Sequence, residues 1–179
     1  RIDLQALEAR CRQLRERGVR IIALVGIGGT TETGNIDPLA AMAAIAREHG
    51  AHFHVDAAWG GPTLFSARWR HLLAGIELAD SVTLDAHKQL YVPMGAGMAL
   101  FRDPAAVRAI EHHARYIIRE GSRDLGSKTL EGSRPGMALL VHSGLRILGQ
   151  RGYELLIDAG IDKARWFADE LGKSPDFEL

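Results

Sequence analysis

The chain has 179 residues, 46% of them hydrophobic and 25% charged, the make-up of a folded globular domain. Its 22 Lys and Arg balance its 22 Asp and Glu, so no net field marks nucleic acid or an anionic membrane as a partner; no apolar run approaches the roughly 20 residues of a membrane span. The single cysteine, Cys11, excludes an internal disulfide framework and a Cys-based metal cluster, and it fits a reducing compartment such as the cytoplasm.

In chain order, Leu4, Leu7, Cys11 and Leu14 recur at helical spacing, with Asp3 as N-cap and Gly18 as stop, which predicts an amphipathic helix over 3–17. The apolar run Ile21 to Ile27 reads as a strand buried on both faces of a parallel sheet. After a Gly- and Thr-rich loop, Gly28 to Asn35, Asp37 and Pro38 are expected to cap and open a helix running to His49. The cycle repeats with a strand over 52–58, a loop at Gly60, Gly61 and Pro62, a helix near 68–78 and a strand over 81–87. This alternation predicts right-handed crossovers and an α/β fold with a mostly parallel sheet flanked by helices, its ligands gathered at the C-terminal strand ends. A further strand at 95–101 follows too short a connection for a crossover, so antiparallel pairing is expected there. Asp103 and Pro104 should open a helix to about Ile118, residues 119–132 read as loop, and two helices follow, near 135–148 and 153–171. Because the chain opens on Arg1 and stops soon after a helix, it reads as a piece of a longer polypeptide.

Three predicted strands end in conformationally special or polar sequence: Gly28-Gly29-Thr30-Thr31, His54-Val55-Asp56-Ala57-Ala58 and Asp85-Ala86-His87-Lys88. In a parallel sheet these ends form one rim. A lysine just past a buried strand commonly snorkels to solvent. Beside a strand-end aspartate and a Gly/Thr loop, however, its amine suits covalent chemistry with a carbonyl, because desolvation favours the neutral, nucleophilic form. Asp56 would supply a carboxylate for a protonated ring nitrogen, and Ala57, Ala58, Gly60 and Gly61 would let a flat ring lie close to the backbone. His54 is either a backbone-bonded core imidazole or a cofactor contact. Adjacent His112 and His113 lack metal spacing, and no metal site is expected. Trp59 is placed near the site, with Trp69 and Trp166 in helix packing. Gly26, Gly28 and Gly29 do not make a nucleotide loop, since the G-x-G-x-x-G spacing fails and no Lys-Ser/Thr follows.

The segments GIGGTTETGNIDPL, HFHVDAAWGGP and GIELADSVTLDAHKQLYVPMGAG resemble, in order and spacing, the group II pyridoxal 5′-phosphate (PLP)-dependent amino-acid decarboxylases. DAHKQLYVPMGAG and LEGSRPGMALLVH are most similar to the bacterial aspartate 1-decarboxylase type. The resemblance implies a PLP fold type I architecture, with 1–140 as the C-terminal part of the PLP-binding large domain and 141–179 as the start of a small C-terminal domain. It also implies an amino-acid substrate and a homodimer. It makes Lys88 the Schiff-base lysine, Asp56 the ring-nitrogen partner, Ala58 a ring contact, His87 a phosphate contact, and Thr30 or Thr31 a hydrogen-bonding neighbour of the cofactor. Arg134 falls where the family handles the substrate carboxylate, which a guanidinium fork suits, although a capping or surface role would also explain an arginine there.

Two departures qualify the match. The stretch 117–131 holds no Tyr where relatives offer one as proton donor; Tyr116 precedes it, and Lys88 or His87 could serve instead. The family's ring-stacking histidine and a phosphate-binding loop would lie before Arg1. An aminotransferase or lyase of the same fold type, or a catalytically dead dimerisation module, are the competing readings.

Overall fold

The computed structural model describes residues 1–112, 125–129 and 133–178. Four strands form one sheet in the order β1 (Ala23–Ile27), β2 (His52–Asp56), β3 (Ser81–Asp85), β4 (Gly97–Phe101). The first three are parallel and β4 runs antiparallel to β3, as the short connection requires. The register sets Ile27 beside Asp56, and Asp56 beside Thr83, so the C-terminal ends of β1, β2 and β3 share one rim.

Helix α1 (Leu4–Glu16) starts on Asp3, whose carboxylate accepts the N–H groups of Gln5 and Ala6. With α2 (Leu39–Glu48) it covers one sheet face, where Cys11, Leu39, Met42, Ala46, Phe53 and Val55 are buried together. Burial pushes the Cys11 thiol above its ordinary pKa, so it packs as a small apolar side chain. The expectation of a sheet covered on both sides holds for one side of β1 only. Val25 is 52% exposed between the buried Leu24 and Gly26, because alternate residues of a strand point to opposite faces and the described helices pack on just one.

Asp37 does not cap α2, whose N-cap is Pro38 with no side-chain bond. Its carboxylate instead accepts the Ile27 N–H at 3.0 Å and the Ile2 N–H at 2.9 Å, tying the chain's start to the end of β1. The expected helix over 68–78 is two 3-10 turns, Arg70–Leu73 and Ile76–Leu78, parted by Gly75 at φ +99°, where a Cβ would fall 2.3 Å from Ala40 N. The helix opened by Asp103 and Pro104 is a 3-10 segment, Pro104–Ile110, that ends on Glu111 in extended backbone and so falls short of the expected run; residues 113–118 of that run, His113 among them, lie outside the described residues. The two C-terminal helices form one element, α3 (Met137–Leu171), broken at Gly149, whose φ is +59° and ψ −177°. The Trp69 ring meets the guanidinium groups of Arg68 and Arg165, each 5.2 Å from its centre, whereas Trp166 is 63% exposed and packs less than expected.

Beyond the break, α3 reaches back over the chain through charged pairs. Arg68 bridges Asp162 with two bonds of 2.8 and 2.9 Å, and Glu154 accepts the Ala67 N–H at 3.2 Å and the Arg151 guanidinium at 2.8 Å. The hydrogen bond from Arg151, then that from Ala67, holds the Glu154 carboxyl below its usual range; the hydrogen bond from Arg68 does the same for Asp162. A carboxylate depressed in the folded state stabilises above its unfolded pKa and loses that contribution as pH falls through the folded value. The melting temperature of the full-length protein should therefore decline on acidification below about pH 5, and Arg68→Ala should flatten part of that decline. Identical acid profiles for the two proteins would show that the Arg68–Asp162 pair contributes nothing.

Candidate active site

The rim is built from backbone first. The Gly28 N–H donates to Asp56 O at 2.7 Å, Ala57 N–H to Thr83 O at 3.1 Å and Asp85 N–H to Ala58 O at 3.3 Å, so three strand ends are stitched side by side. The glycines at this level serve the chain's own packing. A Cβ on Gly60 would stand 2.1 Å from Gly28 O, and one on Gly61 would stand 2.0 Å from a Leu84 methyl. The close approach expected for a flat ring at Gly60 and Gly61 is thus occupied by the β1 loop and by Leu84.

Asp56 and Lys88 stand on this rim. Asp56 is half-buried; its Oδ1 accepts the Ala58 N–H at 3.1 Å, and among the described residues its Oδ2 takes no hydrogen bond. Lys88 follows β3 by three residues, and its Nζ lies 2.9 Å from Asp85 Oδ2. The same carboxylate oxygen is 3.8 Å from His87 Nε2. His87 Nδ1 is 3.1 Å from Ala96 O, and since a carbonyl only accepts, Nδ1 carries a proton and Nε2 is the nitrogen left for a ligand. Asp85 was missed as a site residue in the sequence, although it ends the strand and precedes Lys88 by three, the spacing of one turn.

The remaining expected residues divide. Ala58 sits half-buried beside Asp56, on the rim. Thr30 spends its hydroxyl on closing its own loop, 2.8 Å from Thr33 Oγ1 and accepting the Asn35 N–H at 3.0 Å, while Thr31 is exposed. His54 shares a sheet face with Asp56 but gives both ring nitrogens to β3: Nδ1 is 2.8 Å from Ser81 Oγ and Nε2 3.1 Å from Thr83 Oγ1. Ser81 also meets His52 Nε2 at 2.7 Å; with one hydroxyl proton between two imidazoles, at least one ring donates to it. Arg134, exposed ahead of α3, donates to Thr129 Oγ1 at 2.6 Å. Tyr116, with most of the stretch 117–131, lies outside the described residues, as does no member of the Asp56–Asp85–Lys88 group. No group of His, Cys, Asp or Glu with metal-binding geometry occurs among the described residues, and none of their helices is long and apolar enough to cross a membrane.

The rim thus sets a carboxylate at the end of one parallel strand and an amine just beyond the next, in an α/β fold. The chain belongs to the pyridoxal-dependent decarboxylase family, whose conserved-domain model matches residues 1–179. Over its whole length it is 57% identical to an aspartate 1-decarboxylase of Aliivibrio fischeri, covering 33% of that protein. It is 34% identical to an L-2,4-diaminobutyrate decarboxylase of Acinetobacter baumannii, with 99% of this chain and 36% of that one covered. Its fold matches the crystal structure of mouse CSAD in apo form with a TM-score of 0.90 at 32% identity, over 99% of this chain and 38% of the other. The chain therefore spans about a third of the length of the relatives it matches, and the fold is part of a PLP fold type I domain.

The residues present fit pyridoxal phosphate. An open carboxylate oxygen on Asp56 suits a pyridinium N–H, and the Lys88 amine stands past the neighbouring strand end, held by one carboxylate that can release it.

Proposed function

We propose that the full-length protein removes the carboxylate of an L-amino acid with the aid of pyridoxal phosphate, and that L-aspartate is its substrate, giving β-alanine and carbon dioxide. The observation that carries this reading is the placing of Asp56 and Lys88 at adjacent ends of parallel strands in a chain so close to an aspartate 1-decarboxylase. When bound, the cofactor supplies an electron sink for the pair of electrons left as carbon dioxide departs. Lys88 would hold the cofactor covalently through Nζ, and Asp56 would hold the proton of the ring nitrogen. Asp85 orients the Lys88 amine and neutralises it while charged. His87, its Nδ1 fixed on Ala96, would turn Nε2 to the phosphate. Thr31, Ala58 and His54 would lie beside the ring; His54 is tied to the hydroxyl of Thr83, which pairs with Asp56 in the sheet. Arg134 would take a substrate carboxylate, and Lys88 or His87 would deliver the proton that replaces the lost carbon dioxide.

In this reading residues 1–140 belong to the cofactor-binding domain and 141–179 open a smaller one. The protein works as a homodimer in the cytoplasm, for which the family resemblance and the free, buried Cys11 are the support. Similarity to a 2,4-diaminobutyrate decarboxylase favours that diamino acid as the second candidate substrate, with glutamate third. The test is the full-length protein incubated with each of the three acids. Carbon dioxide and β-alanine from L-aspartate are expected; keto-acid formation without carbon dioxide would make it an aminotransferase, and no reaction with any amino acid would favour a dimerisation module.

A further inference from the structure

Two side-chain rows run along α3 beyond Gly149, each at four-residue spacing and therefore each on one helix face. The apolar row is Tyr153, Ile157 and Ile161; the acidic row beside it is Glu154, Asp158 and Asp162. They meet different parts of the site. The apolar row packs on Ala86, Leu90, Val92 and Ala96, the turn that carries Lys88. The acidic row meets the segment that continues from the Asp56 strand: Asp158 accepts the buried Ser66 hydroxyl at 2.5 Å, Glu154 the Ala67 N–H, and Asp162 the Arg68 fork.

The Lys88 turn needs such support. It is closed by Ala86 N–H to Ala96 O at 2.8 Å and Val92 N–H to Ala86 O at 3.1 Å, and within it Tyr91 adopts φ +56°, the left-handed region that a bulky side chain avoids. Such strain persists only where the surroundings over-determine the conformation. Here the residues on either side of Tyr91, Leu90 and Val92, are 4% and 7% exposed, and the Leu90 carbonyl accepts the Tyr153 hydroxyl at 3.2 Å. Tyr153 itself is fully buried, its ring 5.1 Å from that of Phe65; a Cβ on Gly144 would come 2.9 Å from its hydroxyl. Burial raises the phenol's pKa, so it remains a donor.

We propose that α3 is a brace with Tyr153 as a positioning residue, its apolar row seating the Lys88 turn and its acidic row seating the continuation of the Asp56 strand, so that one helix sets the spacing of the two cofactor-binding groups. The assignment of Lys88 and Asp56 to the cofactor is the reading given above, on which this inference rests.

The test uses the full-length protein and Tyr153→Phe, which keeps the ring and removes only the bond to Leu90. Three changes are expected: faster amide exchange at Ala86 and Val92, slower growth of the visible absorbance when cofactor is added to apoenzyme, and a kcat about tenfold lower with KM little changed. Asp158→Asn should slow cofactor attachment in the same direction while leaving exchange at Ala86 less affected than Tyr153→Phe does. Wild-type exchange and wild-type attachment rates in Tyr153→Phe would overturn the brace. Should the unsubstituted protein give no visible cofactor band, the cofactor reading fails on its own, and exchange at Ala86 and Val92 still decides whether Tyr153 holds the turn.

Discussion

Lys88→Ala in the full-length protein is expected to abolish decarboxylation and, with it, the visible absorbance of bound cofactor. Among the described residues of the rim this amine is the one group that can form an imine with an aldehyde, and Asp85 at 2.9 Å holds it in place. Removing the side chain also takes away the charge partner of Asp85. Lys88→Arg separates the two effects, because a guanidinium keeps the ion pair but is a poor nucleophile at any working pH. Both variants should therefore lose the band, and Lys88→Arg should melt closer to the wild type than Lys88→Ala. A band that survives in either variant would remove Lys88 from its role.

Asp56→Asn should leave the cofactor attached while cutting kcat by about 10²- to 10³-fold, the usual effect of losing one pre-set electrostatic partner. Asparagine can preserve the bond from Ala58 N–H to Oδ1, so the strand end stays closed. What disappears is the negative charge that, in the proposed role, would stabilise a proton on the ring nitrogen. The discriminating comparison is with Asp56→Glu, which restores the charge with an extra methylene and should recover part of the rate. Full kcat in Asp56→Asn, with the cofactor bound, would mean the carboxylate is only a turn aspartate.

The parts of this fold that were readable from sequence are those set by local periodicity. Leu4, Leu7 and Cys11 announce α1 because three- and four-residue spacing admits little else, and the β-branched, apolar run before Gly28 announces β1. The antiparallel β4 was readable too, since the short connection after Lys88 forbids a crossover. Long-range competition decided the rest. Asp37 before Pro38 has the signature of a cap, yet the orphan N–H groups of Ile27 and Ile2 claim its carboxylate. The helical pattern over 68–78 loses to Gly75, whose positive φ brings the chain against Ala40.

Within the candidate site the same division holds. Asp56 and Lys88 stand out as a carboxylate and an amine on neighbouring predicted strand ends, the two groups a pyridoxal ring needs, and His87 through its place in the family motif. Asp85 did not, because an acidic residue at a strand end has many ordinary uses, and only its distance to Nζ sets it apart. His54 was ambiguous for a related reason: the sequence does not reveal that Ser81 and Thr83 lie across from it and occupy both ring nitrogens.

The interlock of Gly60 with Gly28 sets where the rim tolerates change. The excursion from Thr30 to Asn35 closes on itself, with Thr30 N–H on Asn35 O and Gly34 N–H on Thr30 O, each at 2.9 Å. Changes of length or composition between those two residues are expected to leave the strand ends beneath in place, at the cost of the Thr31 contact proposed above. A graft that reaches one step further presses on the neighbouring strand end: a Cβ on Gly29 would stand 3.0 Å from Gly60 Cα and 3.5 Å from Trp59 Cδ1, and one on Gly28 3.0 Å from the Ala57 methyl. Pocket redesign of this family member thus has a sharp boundary at Thr30, drawn by the room for a single carbon atom.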